Sequence, residues 1–265
     1  MVTAMNIFSL RSGSCGNAAL LYSDKTKILI DCGISGKAVT SALSELDVTP
    51  EELDAIVVTH EHVDHISGIG VMMRRYKIPV WANHGTWAAM HPSVGKIDDT
   101  LIKTFNTDEC FEIGNIGISP FSIPHDAADP VGYSFESGGD KISVATDIGE
   151  LKRDLFAAIR GSKTVLLEAN HDVNMLEIGS YPISLKRRIR GKLGHLSNDD
   201  AGKAAEFLVN LGTENILLGH LSEENNYPDL ALQTVVCALN EAGIKNGTDV
   251  MLGVARRDAV CSVGV

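Results

Sequence analysis

The stretch DAIVVTHEHVDH, Asp54 to His65, decides the reading of this chain. DAIVV, from Asp54 to Val58, is an apolar run, and HEHVDH, from His60 to His65, sets three imidazoles and a carboxylate within a single turn of chain. A strand fixes where its last residue points, while the loop beyond is free to fold back. His60, His62, Asp64 and His65 can therefore converge. His60 and His62 share a parity, and Asp64 and His65 can serve a second centre. Neutral imidazole nitrogens with a carboxylate suit zinc, manganese or iron better than calcium, which prefers oxygen throughout. The zinc-protease pattern HExxH fails, because the fourth residue after His60 is Asp64. Glu61, between two inward-pointing candidates, is expected to face solvent or to support a ligand from behind.

The rest of the composition sets bounds around this run. At 265 residues with 44% hydrophobic content, the chain can bury a substantial core. No apolar run reaches the roughly 18 to 20 residues that a bilayer needs, and MVTAMNIFSLRSGS lacks the features of a signal peptide. The expected location is the cytoplasm, with no membrane partner. Cys15, Cys32, Cys110, Cys237 and Cys261 are odd in number, widely spaced and form no CxxC, so they suggest neither a disulfide framework nor a thiolate zinc site. Most are expected to be reduced and simply packed. A net charge of −11 argues by itself against a nucleic-acid partner. Local sign differs, however: KRRIRGK, Lys186 to Lys192, is strongly basic, and two divalent ions would add about four positive charges at the site. Such a run is either a solvated helix face or, lying just before His195, a substrate contact through Arg187 and Arg188.

Along the chain, β-rich runs and helical periodicity alternate. MNIFSL, NAALLYS, TKILIDCG and DAIVVTH read as strands, as do VGYSF (Val131 to Phe135), KISVATD (Lys141 to Asp147) and KTVLLEAN (Lys163 to Asn170). Helices are predicted near Gly36 to Leu46, Ile66 to Tyr76, Leu151 to Ile159, Asp199 to Leu211 and Asp229 to Ala242, the fourth opened by an SNDD cap signal. There is no Pro/Ser-rich linker and no repeat, so a single α/β domain over residues 1–265 is the economical expectation. The chemically loaded residues recur where β-runs end: Asp31, His60, His125, Asp147, Glu168 to His171, and His220.

Those residues suffice for two metals. The first can take His60, His62 and His125; the second can take Asp64, His65 and His220, with Asp147 as a bridge. A water shared by the two ions would lose a proton near neutral pH and become a metal-bridging hydroxide nucleophile.

Asp31 in ILIDCG, HEHVDH, His125, Asp147 in SVATD and His220, in that order, resemble the motifs of the metallo-β-lactamase superfamily of hydrolases over nearly the full chain. The resemblance implies a four-layer αββα sandwich with a dinuclear site at one edge of the paired sheets. It implies the ligand split above, with Asp64 contributing to catalysis and Asp31 supporting the ligands from behind. His125 departs from the PGHTxGH-like context of thioester hydrolases, since it sits in IPHDAADPVGY.

LEANHD, GHLSNDDAGKAA and ILLGHLS resemble the nucleic-acid-processing branch. In ribonuclease Z-like members a Glu after a strand orients a His that protonates the leaving oxygen, and Glu168 and His195 match those positions. A phosphodiester needs such a donor, whereas a thiolate departs unaided. SLRSGSCGN (Ser9 to Asn17), VGYSF, TDIG (Thr146 to Gly149) and GHLSEENN (Gly219 to Asn226) are similar to the YycJ/WalJ-type group, to which 5′ to 3′ exonuclease activity on DNA is attributed. The implied function is thus a dinuclear-metal phosphodiesterase, with a thioesterase or lactonase as the alternative. Candidate substrate contacts are Ser12, Ser14 and Asn17 of the SGSCGN loop, whose amides suit a phosphate unless the loop is a plain turn, together with Ser222. His171 is either a phosphate contact or a buried structural histidine. His84 and His91 carry no metal pattern.

Overall fold

In a computed structural model, which describes residues 5–264, two sheets pack face to face. The N-terminal expectations for residues 1–4, and residue 265, lie outside the described residues. The first sheet has the order β1 (Asn6–Arg11), β2 (Ala18–Tyr22), β3 (Lys27–Ile30), β4 (Ala55–Val57), β5 (Val80–Asn83) and β6 (Ile102–Phe105). Its helices are α1 (Gly36–Ser44), α2 (Val63–Ile66), α3 (Ile69–Tyr76) and α4 (His84–Val94). The second sheet comprises β7 (Phe111–Ile113), β8 (Ile116–Ser122), β9 (Val131–Ser137), β10 (Asp140–Ala145), β11 (Thr164–Glu168), β12 (Asn215–Gly219) and β13 (Met251–Val254), with β13 and β7 at its edges. Around it lie α5 (Arg153–Ile159), α6 (Val173–Ile178), α7 (Ile183–Ile189), α8 (Asn198–Asn210) and α9 (Pro228–Glu241).

Strand alternation produces the layers. Ile28, Ile30, Ala55 and Val57 meet Ile142, Val144, Leu166 and Leu217 between the sheets. Leu29 and Ile56, one residue out of phase, face Val39, Met72, Met73 and Met90 of the first helical layer. Val165, Leu167, Ile216 and Leu218 face Ala201, Leu208, Val235 and Leu239 of the other. The central strands are buried on both faces, hence their continuous apolar runs. The architecture is the expected αββα sandwich.

The central strands run parallel, so their carboxyl ends gather at one edge. Ile30 pairs with Val57, Ala145 with Leu167, and Glu168 with Gly219. Asp31, His60, Asp147 and His220 follow directly from these ends. Asp31, Asp147 and His220 all adopt the left-handed region, with φ of 57°, 60° and 57°. That conformation is uncommon for residues with a Cβ and turns each chain sharply out of its strand.

Some expectations need correction. The helix predicted at Ile66 to Tyr76 is broken into α2 and α3, because Gly68 packs under Cys32 and Ile34, where an added Cβ would lie 2.3 Å from the Ile34 carbonyl. Residues 77–130 carried few predicted elements yet hold β5 to β8 and α4. β5, β6 and β7 are short, and α4 contains Pro92. The cysteines are free but not mostly packed: only Cys32 is buried, its thiol pushed up to about 12 by burial and by Asp31, while Cys15, Cys110 and Cys237 are exposed.

Candidate metal centre

HEHVDH leaves β4 and enters α2, so the short helix holds Asp64 and His65 while His60 and His62 precede it. The turn is braced against the loop after β3. Cys32 N donates to His65 O at 2.8 Å, and Asn17 N donates to Asp64 O at 2.8 Å. Only a residue without a Cβ fits at Gly33, where that atom would lie 1.6 Å from Asp64 O.

The inner side chains form overlapping groups whose ligand atoms lie within 4.8 Å of one another: His60, His62 and His125; His60, His65 and Asp147; Asp64, His65 and His220; and Asp147, Glu168, His195 and His220. Asp147 thus adjoins both HEHVDH and the later histidines. His125 Nε2 lies 3.3 Å from His62 Nδ1, and Asp147 Oδ2 lies 3.4 Å from His65 Nε2.

Outer partners fix the imidazoles. His65 Nδ1 donates to Asp31 Oδ2 at 2.7 Å, and Asp31 also accepts from the amide and hydroxyl of Thr59, each at 2.8 Å. His125 Nδ1 donates to the Gly194 carbonyl at 3.1 Å. His220 Nδ1 and His195 Nδ1 share Glu168 Oε1 at 2.9 and 2.8 Å, while Glu168 Oε2 accepts the amides of Ile148 and Leu196. Holding Nδ1 leaves Nε2 of His65, His125 and His220 for the centre. Glu61 supports the site from outside, its Oε1 accepting Ala128 N at 2.8 Å.

The electrostatics follow from this crowding. Burial and the neighbouring imidazoles push His60 well below the usual histidine range. Burial also disfavours charge on His65, but Asp147, Asp31 and Asp64 outweigh it and raise that imidazole to about 9. His220 is likewise raised against burial, by Asp147 and by hydrogen bonds to Asp64 and Glu168. Burial would raise Asp64 and Glu168, yet their histidine partners hold both below the usual carboxylate range.

Two central atoms, His60 Nε2 and Asp147 Oδ2, are buried without a hydrogen-bond partner. An orphaned buried polar atom costs about 1–3 kcal/mol, so a cation is the partner this geometry calls for. The imidazole and carboxylate donors fit a divalent transition metal.

Above the cluster opens a cleft of about 320 Å³, lined by Ser14, Asn170, Ser222, Arg188, His195, Tyr181, Leu185 and Val63 among others. Ser14, Ser222 and Arg188 therefore reach the place expected of substrate contacts. Ser12 and Asn17 do not. Ser12 Oγ accepts His220 N at 2.8 Å, and Asn17 Nδ2 contacts Asp64 Oδ2 and His65 Nε2 at 3.3 and 3.2 Å. Nor is the SGSCGN loop a phosphate cradle, since the amides of Gly13, Ser14, Gly16 and Asn17 are spent on Asn17, Leu221, Gly13 and Asp64. His171 is buried behind the site, and burial lowers it to about 4.

The basic run is largely neutralised: Arg188 pairs with Asp126, Arg190 with Glu177, and Lys192 with Glu150. Among the described residues Arg187 has no ion-pair partner, but it does not line the cleft. His84 and His91 are exposed and lie in none of the groups. Sequence reasoning missed Thr59, Asp126, the Gly194 carbonyl and the hold of Glu168 on His220. A threonine ending a β-run or an isolated aspartate carries no pattern of its own.

Comparison with known proteins agrees with this geometry. A beta-lactamase superfamily domain matches residues 26–221. The chain is 42% identical over 242 residues to exodeoxyribonuclease WalJ of Streptococcus pneumoniae, covering 91% of this chain and 90% of that protein. It is 39% identical to exodeoxyribonuclease YycJ of Bacillus anthracis, covering 90% of each. The metallo-β-lactamase fold protein YhfI of Bacillus subtilis superposes with a TM-score of 0.71 over 98% of this chain and all of that one, a likeness of fold at 16% identity. Similarity that spans nine-tenths of both partners, and takes in every strand end that builds the cluster, has one meaning: the chain belongs to the metallo-β-lactamase superfamily and, within it, to the YycJ/WalJ-type group.

Proposed function

We propose that this protein is a metal-dependent nuclease acting on DNA from its ends, with the 5′ to 3′ direction that likeness to the YycJ/WalJ-type group implies. The observation that carries the reading is the His195–Glu168 pair at 2.8 Å beside the cluster, with His195 lining the cleft. The two relatives at 39% and 42% identity, both named exodeoxyribonucleases, support it. The chain acts as one domain, since a single apolar layer joins its two sheets. No helix among the described residues is long and apolar enough to cross a membrane; a DNA substrate is the reason for placing the protein in the cytoplasm.

His60, His62 and His125 would hold one divalent ion and Asp64, His65 and His220 a second, with Asp147 between them. Bound ions supply Lewis acidity to the phosphoryl group and lower the pKa of water. The chain's own residues do the rest. His195, with Nδ1 committed to Glu168, keeps Nε2 for the proton that the leaving oxygen needs. Glu168 stays ionised to orient that ring and His220 together. Ser14, Asn170 and Ser222 offer polar groups in the lining of the cleft, where a phosphodiester backbone can be aligned.

The test incubates metal-loaded protein with end-labelled single- and double-stranded DNA and RNA, beside a thioester, with and without chelator. Chelator-sensitive release of nucleotides from DNA ends is expected. Cleavage of the thioester alone would reject the nuclease reading.

A further inference from the structure

The lining of the cleft is of two kinds: polar Ser14, Asn170 and Ser222, and apolar or aromatic Val63, Tyr181, Leu185 and Ile189. Ile189 is buried, but Val63 and Tyr181 are not spent on packing. Val63 stands 73% exposed at the start of α2, immediately between the ligand candidates His62 and Asp64. Tyr181 is half-buried and makes no hydrogen bond and no ring contact among the described residues. An uncommitted aromatic ring and an exposed valine lining the same cleft as the metal cluster offer a surface to an apolar face.

Three properties of the cleft identify that face. About 320 Å³ lies at the small end of ligand pockets, room for one nucleotide and not for a length of strand. Its floor is the cluster, suited to a phosphate. Arg188 also lines the cleft, fixed by Asp126 through Nε and through Nη2 at 3.0 Å, so it brings positioned N–H donors rather than a free positive charge. A floor for phosphate, with polar groups and an aromatic ring in the same lining, matches the parts of a nucleotide.

We propose that Tyr181, with Val63 and Leu185, is the stacking platform for the base of the terminal nucleotide, so that the protein takes the unpaired end of a DNA strand one residue at a time. This rests on the nuclease reading above. Stacking tolerates any base, which suits an enzyme that must pass through sequence. A paired terminal base cannot enter with its partner, so a duplex end must first fray, at the cost of unstacking.

The test uses full-length, metal-loaded protein and compares intact single-stranded oligonucleotides with ones whose terminal nucleotide lacks its base. Wild type should favour the intact end, and Tyr181→Ala should lose about 5- to 100-fold in kcat/KM there, as expected for one base–aromatic stack. The loss should shrink on the baseless end, and Tyr181→Phe should restore the intact-end rate. In a His195→Ala background, a terminal 2-aminopurine should be quenched on binding when Tyr181 is present and should stay bright with Tyr181→Ala. Equal losses on both ends would make Tyr181 a structural residue and overturn the platform, as would equal wild-type rates on both ends. Failure of wild type to cleave any oligonucleotide would instead bring down the nuclease reading beneath it.

Discussion

Besides Asp147 at the centre of the cluster, each sheet sends one buried carboxylate that holds imidazoles from behind, and the two are connected differently. Asp31, leaving the first sheet, accepts from Thr59 twice and from one imidazole, His65. Glu168, ending a central strand of the second sheet, accepts from two imidazoles on one oxygen and from two backbone amides on the other. Asp31 therefore orients a single ligand candidate whose neighbours in HEHVDH already share its backbone. Glu168 joins His195 and His220, which come from separate elements and are hydrogen-bonded to one and the same carboxylate oxygen. The first region is local and needs a support; the second is assembled and needs a hub.

Predictions scale with that difference. Glu168→Ala should have the largest effect, a fall in turnover of roughly 10⁴-fold, because a proton donor and a metal ligand lose their orientation together. Excess metal should not restore it in a metal titration of kcat/KM. His195→Ala should come next, lowering kcat by about 10²–10⁴-fold. Metal content by elemental analysis should stay at the wild-type value, and retention of the full nuclease rate would remove the donor from the hub. Asp31→Ala should weaken metal binding by about 10–100-fold, with turnover recovered at saturating metal. If excess metal rescued both carboxylate variants alike, the distinction between support and hub would collapse. The smallest effect belongs to α7. Arg187→Gln should reduce the salt slope of DNA binding by about 1 or less, and Arg190→Gln, already paired with Glu177, should leave the slope where it was.

The same contrast governs what could be read from the sequence. HEHVDH is legible because its residues are neighbours along the chain and need no fold to meet. His125, Asp147 and His220 were reachable because strand ends and family motifs mark them. The Arg188–Asp126 pair spans 62 positions and follows no spacing, so the basic run looked freer than it is. Loop Ser12 to Asn17 misled for a related reason: small residues announce available amides, but only the fold shows that these are consumed by Asn17, Leu221, Gly13 and Asp64, while the Ser12 hydroxyl is taken up by His220 N. Residues 77–130 were illegible because β5, β6 and β7 are too short to show alternation and α4, with Pro92 inside it, lacks a one-sided apolar stripe. Tyr181 escaped notice because one aromatic in a polar stretch means nothing until its neighbours in space are known.

Of the five non-glycine residues in the left-handed region among those described, three are Asp31, Asp147 and His220. Glycine at any of them would relieve backbone strain of order 1 kcal/mol while deleting the group that the turn exists to present. Selection for stability and selection for activity therefore pull in opposite directions at these positions. A library of variants sorted by heat resistance alone should drift toward glycine there and yield robust, inert sandwiches. The same substitutions, met in a related chain, would mark a retired enzyme.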